Sequence, residues 1–237
     1  MSEKFWHLKN CDVFGQLTPE QLRRLEARCR FREFRRGDPI YLPADHAGDV
    51  FLLTSGRAKI CGYTADGKQS ILSFVEPGEL FGELSIFDSG AREEYAEAID
   101  AAKVVMIPTD EMQRLLEQNP QVALGVTKLI GLRRKRVERR LKYLLFHSNL
   151  ERLIHLLLEF AEQYGRPTEA GLELGVKLSH QDIASLIGST RETVTVLLGD
   201  LQNKQLVQLG RRKVIIADID GLAREADTAP PRLAASD

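Results

Sequence analysis

The stretch from residue 178 to residue 216 constrains the fold of this chain most. Ser179 stands three residues before Asp182, a spacing typical of a capping box at the start of a helix. The apolar residues that follow fit one helical face: Ile183, Ala184, Leu186 and Ile187. Gly188 then breaks the pattern, and residues 189–192 repeat the capping spacing. Two short helices joined by a glycine turn predict a helix-turn-helix.

The second of these helices has one apolar and one polar face. Helical spacing predicts a buried face made of Val194, Leu197, Leu198 and Leu201. The outer face then presents Arg191, Glu192, Thr195 and Val196 to solvent. Two short apolar stretches, 206–209 and 213–216, follow around Gly210, Arg211 and Arg212, and they predict a two-stranded wing with a basic tip.

The outer face of the second helix has side chains that can recognise base edges in a DNA major groove. An arginine donates two hydrogen bonds to guanine, a glutamate accepts from the cytosine amino group, and valine or threonine methyl groups contact the thymine methyl group. Between Lys177 and Lys213 there are six basic and three acidic residues, an excess suited to phosphate contacts. The predicted DNA-contacting residues are Ser179, His180, Gln181, Ser189, Thr190, Arg191, Glu192, Thr195, Val196, Arg211 and Arg212. Glu192 also fits a role as a cap of its own helix.

The N-terminal half has a different pattern. Thr18, Pro19 and Glu20 predict the start of a short helix that reaches Cys29. Short apolar stretches separated by glycines follow, at 50–53, 58–60, 71–75 and 104–107. Many short strands with glycine turns predict a β-sandwich, a jelly roll or a small barrel.

Residues 121–147 predict one long helix, because they contain no proline and show a coiled-coil-like apolar spacing. The apolar residues of this seam are Val122, Val126, Leu129, Ile130, Val137, Leu141 and Leu144. A seam of this kind would otherwise face water, so we expect a homodimer. Lys128 to Lys142 includes eight basic residues and one acidic residue. This run is either a solvated basic face, or Arg133 and Arg134 face a ligand or set the dimer register.

The remaining C-terminal sequence adds three elements. A second amphipathic helix is predicted from Asn149 to Tyr164 and ends at Gly165, Arg166 and Pro167. Residues 171–177 predict a strand or a loop. The segment after Gly221 predicts a disordered tail.

Several functional classes have no support in the sequence. Cys11, Cys29 and Cys61 stand far apart, which predicts ordinary thiols and no metal site or iron-sulfur cluster. We find no apolar run long enough to span a membrane and no signal-peptide core, so we expect a cytoplasmic protein. No nucleophile, base and orienting group occur in a recognisable spacing, so we predict that the protein is not an enzyme and has no catalytic residues.

The segments Leu178 to Ala184 and Gly188 to Val194 resemble the helix-turn-helix signature of the CRP/FNR superfamily of dimeric transcription regulators. This resemblance extends over nearly the whole chain. It implies an α+β fold with an N-terminal cyclic-nucleotide-binding-like β jelly roll, a long central dimerisation helix and a C-terminal winged helix-turn-helix. The expected divisions are a sensor domain at 1–118, a dimerisation helix at 119–147, a DNA-binding domain at 148–221 and a disordered tail at 222–237.

Residues 81–87, after Pro77 and Gly78, resemble the phosphate-binding cassette of the same family. In members that bind cyclic nucleotides, a Gly-Glu-Leu sequence and a later Arg-Ser or Arg-Thr pair hold the phosphate and ribose. This chain has Arg92 followed by Glu93 and Glu94 at the later position. The predicted effector-binding residues are Gly82, Glu83, Leu84, Ser85, Arg92, Arg133, Arg134 and Val137.

Charge in this region argues against cyclic AMP bound in the familiar mode. Glu76 to Glu117 includes eleven acidic and three basic residues, a field that disfavours an anion. The hydroxyl pair with which family members contact adenine would fall at Val137 and Glu138, which have no hydroxyl. A cyclic nucleotide, another small effector and no effector at all remain open.

The sequence therefore predicts a DNA-binding transcription regulator that binds a palindromic operator as a homodimer. Double-stranded DNA is the expected partner, with RNA polymerase as a further one if the protein is an activator. Val196 departs from the family, in which many members have a third base-reading arginine at that position. The alternative is a cyclic-nucleotide-binding regulatory module whose C-terminal helices contact another protein.

Overall fold

The computed structural model describes residues 3–63, 69–88, 90–210 and 213–231. The chain divides into two compact units, Met1–Val137 and Glu138–Asp237. Within the described residues, no helix is both long enough and apolar enough to cross a membrane.

The first unit begins with two short helices, continues as a β domain and ends in helices. Its helices are α1 (Glu3–Lys9), α2 (Pro19–Arg28), α3 (Thr109–Gln118) and the start of α4 (Pro120–Phe146), with a short 3-10 helix at Glu83–Ile86. Its strands are β1 (Arg30–Phe34), β2 (Pro39–Tyr41), β3 (Asp49–Ser55), β4 (Ala58–Tyr63), β5 (Gln69–Val75), β6 (Leu80–Phe81), β7 (Tyr95–Ala98) and β8 (Ala102–Pro108). All four predicted strand segments lie inside observed strands.

The eight strands form two antiparallel sheets. One sheet has the order β1-β8-β3-β6 and the other has the order β2-β7-β4-β5. Side chains on β3 alternate between two cores, because successive residues of a strand point to opposite faces. Val50 and Leu52 pack in a cluster with helix residues, whereas Phe51 and Leu53 pack in a cluster formed by residues of both sheets. Burial of both faces explains why the stretch is continuously apolar.

The first turns of α4 pack within the protomer, so the predicted dimer seam is wrong at its N-terminal end. Val122 and Val126 are buried among residues of α1, α2 and α3, and Leu129 and Ile130 are partly buried against the same cluster. The apolar side chains that α4 leaves exposed are Leu124, Leu132, Val137, Leu141, Leu145 and Phe146. The same spacing suits packing against a helix of the same chain or of another, so periodicity alone did not separate the two.

The second unit is a small helical domain with one sheet. After the end of α4, its elements are α5 (Asn149–Tyr164), β9 (Gly165–Thr168), β10 (Gly171–Leu174), α6 (His180–Ile187), α7 (Arg191–Asn203), β11 (Val207–Gly210), β12 (Lys213–Ile216) and α8 (Ile219–Glu225). The sheet has the order β11-β12-β10-β9. Strand β9 was not predicted because Gly165 and Pro167 indicated only the end of a helix. Proline is tolerated there because β9 lies at the edge of the sheet.

The predicted disordered tail is wrong at its start. Asp218 caps α8 by accepting a hydrogen bond of 2.8 Å from the backbone N–H of Gly221. Leu222 and Ala223 are fully buried, so the helix is held by packing as well as by its cap. The regular structure of the second unit therefore extends to Glu225, whereas residues 232–237 of the predicted tail lie outside the described residues.

Candidate nucleic-acid interface and small-molecule site

Helix α6 begins at the predicted capping box. The Ser179 hydroxyl accepts a hydrogen bond of 3.1 Å from the backbone N–H of Asp182, and the Asp182 carboxylate accepts one of 2.9 Å from the N–H of Ser179. Gly188 ends the helix with a φ of 65°. This left-handed conformation favours glycine because a side chain would be strained there. The turn between the two helices is thus fixed by local sequence.

The N-cap of helix α7 lies one residue after the predicted cap. Its cap is Thr190, whose hydroxyl accepts a hydrogen bond of 3.2 Å from the backbone N–H of Thr193. The sequence had predicted Ser189 as the cap, with Glu192 reaching back to it. Arg191 becomes the first helical residue, and Ser189 is half-buried in the turn.

The two faces of α7 are as predicted except at Leu197, which was expected in the buried face and is only half-buried. Val194, Leu198 and Leu201 are buried. Arg191, Glu192, Thr195 and Val196 are all exposed, and Val196 keeps 62% of its surface accessible although it is apolar.

The start of α6, the start of α7 and the wing surround a shared cleft of about 430 Å³. Its lining includes Ser179, His180, Gln181, Arg191 and Lys213. The structure thus brings four of the predicted DNA-contacting residues together around one opening. The predicted wing residues Arg211 and Arg212 lie outside the described residues, between strands β11 and β12.

Lys213 is a residue of this cleft that the sequence reasoning missed. Its ammonium group lies 2.7 Å from a carboxylate oxygen of Glu173, an ion pair between two partly exposed side chains. The sequence contained a pattern that could have identified it, because Lys213 directly follows the two wing arginines in a basic run. The strand pairing of β10 with β12 brings the glutamate to it, and sequence spacing does not reveal that pairing.

In the first unit, the cassette resembling a phosphate-binding site turns at Gly82, which has a φ of 67°. A Cβ atom at this position would lie 2.9 Å from Nη1 of Arg92 and 3.0 Å from the Phe51 ring, so glycine is favoured here and a larger residue would have to displace these side chains. Glu83 and Ser85 are buried, and Leu84 is 56% exposed. The Ser85 hydroxyl donates a hydrogen bond of 2.8 Å to the carbonyl of Gly82, which holds the turn closed.

Arg92 lies across the cassette and is held from several sides. Its guanidinium stacks 4.3 Å above the centre of the Tyr41 ring and 5.2 Å from that of Phe51. Its Nη2 donates to the carbonyl of Asp49, and its Nη1 lies 3.5 Å from the carbonyl of Gly82. Sequence reasoning identified the arginine and missed its two aromatic partners, because these are distant in sequence.

Arg133 is not part of a solvated basic face. Its Nη1 lies 2.6 Å from a carboxylate oxygen of Glu83, and its Nη2 donates to the carbonyl of Leu80. The two charged side chains are only 14% and 9% exposed. Arg133 therefore lies against the cassette turn, and its predicted role toward a ligand or in the dimer register stays a prediction. Arg134 and Val137 are exposed.

Glu94 belongs to the same cluster, whereas Glu93 is exposed. The Tyr41 hydroxyl donates a hydrogen bond of 2.8 Å to the Glu94 carboxylate. Burial raises the pKa of Glu94 above its ordinary value, and the charge of Glu83 raises it further, against the hydrogen bond from Tyr41 and the charges of Arg133 and Arg92. The site therefore combines two guanidinium groups and two carboxyl groups.

The cysteines are three buried thiols. Burial raises the pKa of the Cys11 thiol to about 11, which keeps it protonated at neutral pH. Within the described part of the chain, no three side chains of His, Cys, Asp or Glu are grouped closely enough to hold a metal ion.

A winged helix-turn-helix attached to a β domain with a phosphate-cassette turn defines a class, the transcription regulators with a sensor domain. Two family models match: a cyclic nucleotide-binding domain at residues 31–119 and a Crp-like helix-turn-helix domain at residues 151–225. Together they match the two functional parts that the sequence predicted.

Relatives and solved structures agree with these matches. A global nitrogen regulator from Synechococcus elongatus is 30% identical over 83% of this chain and 89% of its own. A CRP-like cAMP-activated global transcriptional regulator from Mycobacterium tuberculosis is 27% identical over 92% of this chain and 98% of its own. A CRP-family transcriptional regulator from Thermus thermophilus superposes with a TM-score of 0.71 at 28% identity, over 84% of this chain and 98% of its own.

This chain belongs to the CRP/FNR family of transcription regulators. It has the predicted α+β fold, with an N-terminal β domain of the cyclic-nucleotide-binding type, a long helix and a C-terminal helix-turn-helix that binds DNA. The predicted family, fold class and regulatory function are confirmed.

Proposed function

We propose that the protein binds a palindromic operator as a homodimer and reads its sequence through the exposed face of α7. One observation supports this most directly. The buried residues of α7 fix its orientation, and the four residues left on the outer face, Arg191, Glu192, Thr195 and Val196, are all exposed. That face includes a bidentate donor, an acceptor and methyl groups, which are the groups that recognise base edges.

The residues around the cleft then serve as phosphate contacts. Ser179 and Gln181 line the cleft at the start of α6, and Ser189 and Thr190 precede α7. Backbone N–H groups at helix starts favour anions. The wing arginines Arg211 and Arg212 add sequence-independent attraction. We infer a sensor domain at 1–118, a dimer helix at 119–147 and a DNA-binding domain from 148 that extends to Glu225. A DNA-binding regulator of this kind acts in the cytoplasm, and it contacts RNA polymerase if it is an activator.

Selection of bound DNA from a randomised library tests this proposal. We expect an enriched palindrome whose half-sites lie about one helical turn apart, because two α7 helices related by a twofold axis occupy successive major grooves. Binding should also weaken steeply with salt. Enrichment of a sequence without twofold symmetry, or of no sequence, would contradict the proposal.

For the sensor domain we propose an effector other than cyclic AMP in the familiar mode. Arg92, the cation that would neutralise a phosphate, already donates to backbone carbonyls. Glu83 is paired with Arg133, and Glu94 lies in the same cluster. A phosphate placed there would face two carboxyl groups, and Glu93 stands where a hydroxyl donor is required. The residues present thus fit a cyclic nucleotide poorly.

Calorimetry with cyclic AMP should show no binding, or binding weaker than micromolar. The matched variant is Glu93→Ser, which restores the family's hydroxyl and removes one negative charge. We expect this variant to bind more tightly than the wild type, since an exposed charge is exchanged for a donor beside the phosphate. A submicromolar constant in the wild type that Arg92→Ala abolishes would show that the arginine outweighs the carboxylates.

A further inference from the structure

The Thr195 hydroxyl, on the exposed face of α7, is engaged on two sides. Its Oγ1 donates a hydrogen bond of 2.9 Å to the backbone carbonyl of Arg191, one turn earlier in the helix. The same oxygen lies 2.8 Å from Nδ1 of His180, at the start of α6. A threonine hydroxyl has a single proton, so it cannot donate to both partners. His180 must therefore be the donor, with its proton on Nδ1.

This arrangement determines what Thr195 presents to a partner. The only hydroxyl proton is used within the helix, so no O–H donor remains for a base edge. The oxygen is turned toward the backbone of α7 and toward His180, which leaves the Cγ2 methyl group as the exposed part of an exposed side chain. Val196, the next residue, is also exposed and apolar.

His180 restricts the Thr195 side chain to one χ1 rotamer and so fixes the direction of its methyl group. A helical threonine ordinarily divides between two χ1 rotamers, because its oxygen can bond to either of two preceding carbonyls. A donor from a second helix favours the one rotamer in which the oxygen meets the His180 ring. His180 is itself half-buried at the start of α6, next to the cap residue Ser179.

We propose that Thr195 reads DNA through its methyl group, by contact with the 5-methyl group of a thymine, and that His180 is the positioning residue for this contact. The inference rests on the proposed function, in which the outer face of α7 enters the major groove. Thymine is the base that presents a methyl group in that groove. The base that Thr195 contacts in each half-site is therefore recognised through an apolar contact.

The test replaces thymine by deoxyuridine, which lacks only the 5-methyl group, at each symmetric thymine position of the selected operator. Burying one methyl group corresponds to about fourfold in affinity, hence roughly fifteenfold for a dimer that contacts two half-sites. We expect one position at which wild-type affinity falls by about this factor. The measured quantity is the ratio of the two dissociation constants, which cancels general losses of affinity.

Three variants assign the ratio to its residue. Thr195→Val keeps the methyl group and should retain the ratio, whereas Thr195→Ser keeps the hydroxyl and should reduce it to about one. Val196→Ala is the matched control on the same face and should leave the ratio at this position unchanged. A ratio that survives in Thr195→Ser, or disappears in Thr195→Val, would overturn the proposal.

Two further variants test the role of His180. His180→Ala should lower the ratio at the Thr195 position, because the threonine regains both rotamers. His180→Asn places an amide N–H near the position of Nδ1 and should restore much of the ratio, even where overall affinity stays low. Equal ratios in His180→Ala and the wild type would show that the histidine does not position the reader.

The outcomes separate this inference from the proposed function. If Arg191→Ala leaves every base preference intact, α7 is not the reader, and the proposed function fails. If base preference depends on Arg191 while no thymine position responds to deoxyuridine, the proposed function stands and the methyl contact is wrong.

Discussion

Replacement of Arg191 by alanine should reduce operator affinity by about 1–3 kcal/mol per half-site and relax the preference at one symmetric base position. Arg191 is the first residue of α7, is exposed, and lines the cleft between the two helices and the wing. A guanidinium at the start of a recognition helix reaches guanine through two parallel hydrogen bonds. Loss of both bonds leaves a polar base edge without a partner.

The wing supplies the matched control. Arg211→Ala and Arg212→Ala should weaken binding to all DNA sequences alike and reduce the salt slope by about one, because a phosphate contact has no base preference.

Val196→Arg should move the base preference toward the family's commoner half-site, since a guanidinium reaches a purine that valine does not. Each variant is measured on the same randomised operator library. Unchanged base preference in Arg191→Ala would refute the reading role of α7.

The helix-turn-helix was predictable because its determinants are local. The capping box of α6 lies within four residues, and the glycine turn follows directly. The buried and exposed faces of α7 follow from helical spacing alone. The one local error concerns the cap of α7, where Ser189 and Thr190 are adjacent and both suit the role. In the structure the cap is Thr190.

The side-chain cluster around the cassette turn was only partly predictable, because its contacts join distant segments. The glycine turn and Arg92 were found from the family pattern. The stacking of Arg92 on Tyr41 depends on the pairing of β2 with β7, and the ion pair of Arg133 with Glu83 depends on where α4 packs. Neither contact could be predicted from the spacing of its residues in the sequence.

Helix α4 shows a related limit. Its apolar residues recur at intervals near three and four along the whole length, so the sequence favoured one continuous seam. The structure uses the first part of that pattern, at Val122 and Val126, inside the protomer. The later part, at Val137 and Leu141, remains exposed. The apolar periodicity therefore combined two faces: one packs inside the protomer, and the other is exposed.

The exposed later part of α4 leads to the second large expected effect, on assembly. Aspartate at both Val137 and Leu141 should convert the dimer to monomers. These side chains are each 54% exposed and lie four residues apart, hence on one face of the helix. Burial of an aliphatic side chain contributes about 1.5–3 kcal/mol, and an unpaired carboxylate in its place costs several more. Ile130 is unsuitable for this test because it packs against the protomer's own core.

The expected loss of operator affinity exceeds that of one base contact in one half-site. A monomer contacts one half-site, and loss of the linked second contact reduces affinity by about 10² to 10⁴. Val137→Ile with Leu141→Met is the matched control, since it keeps the apolar surface and should remain a dimer with full affinity. Sedimentation gives the assembly state, and circular dichroism checks that the aspartate variant stays folded. A wild-type protein that sediments as a monomer at micromolar concentration would show that the exposed apolar residues of α4 do not join two copies of this chain.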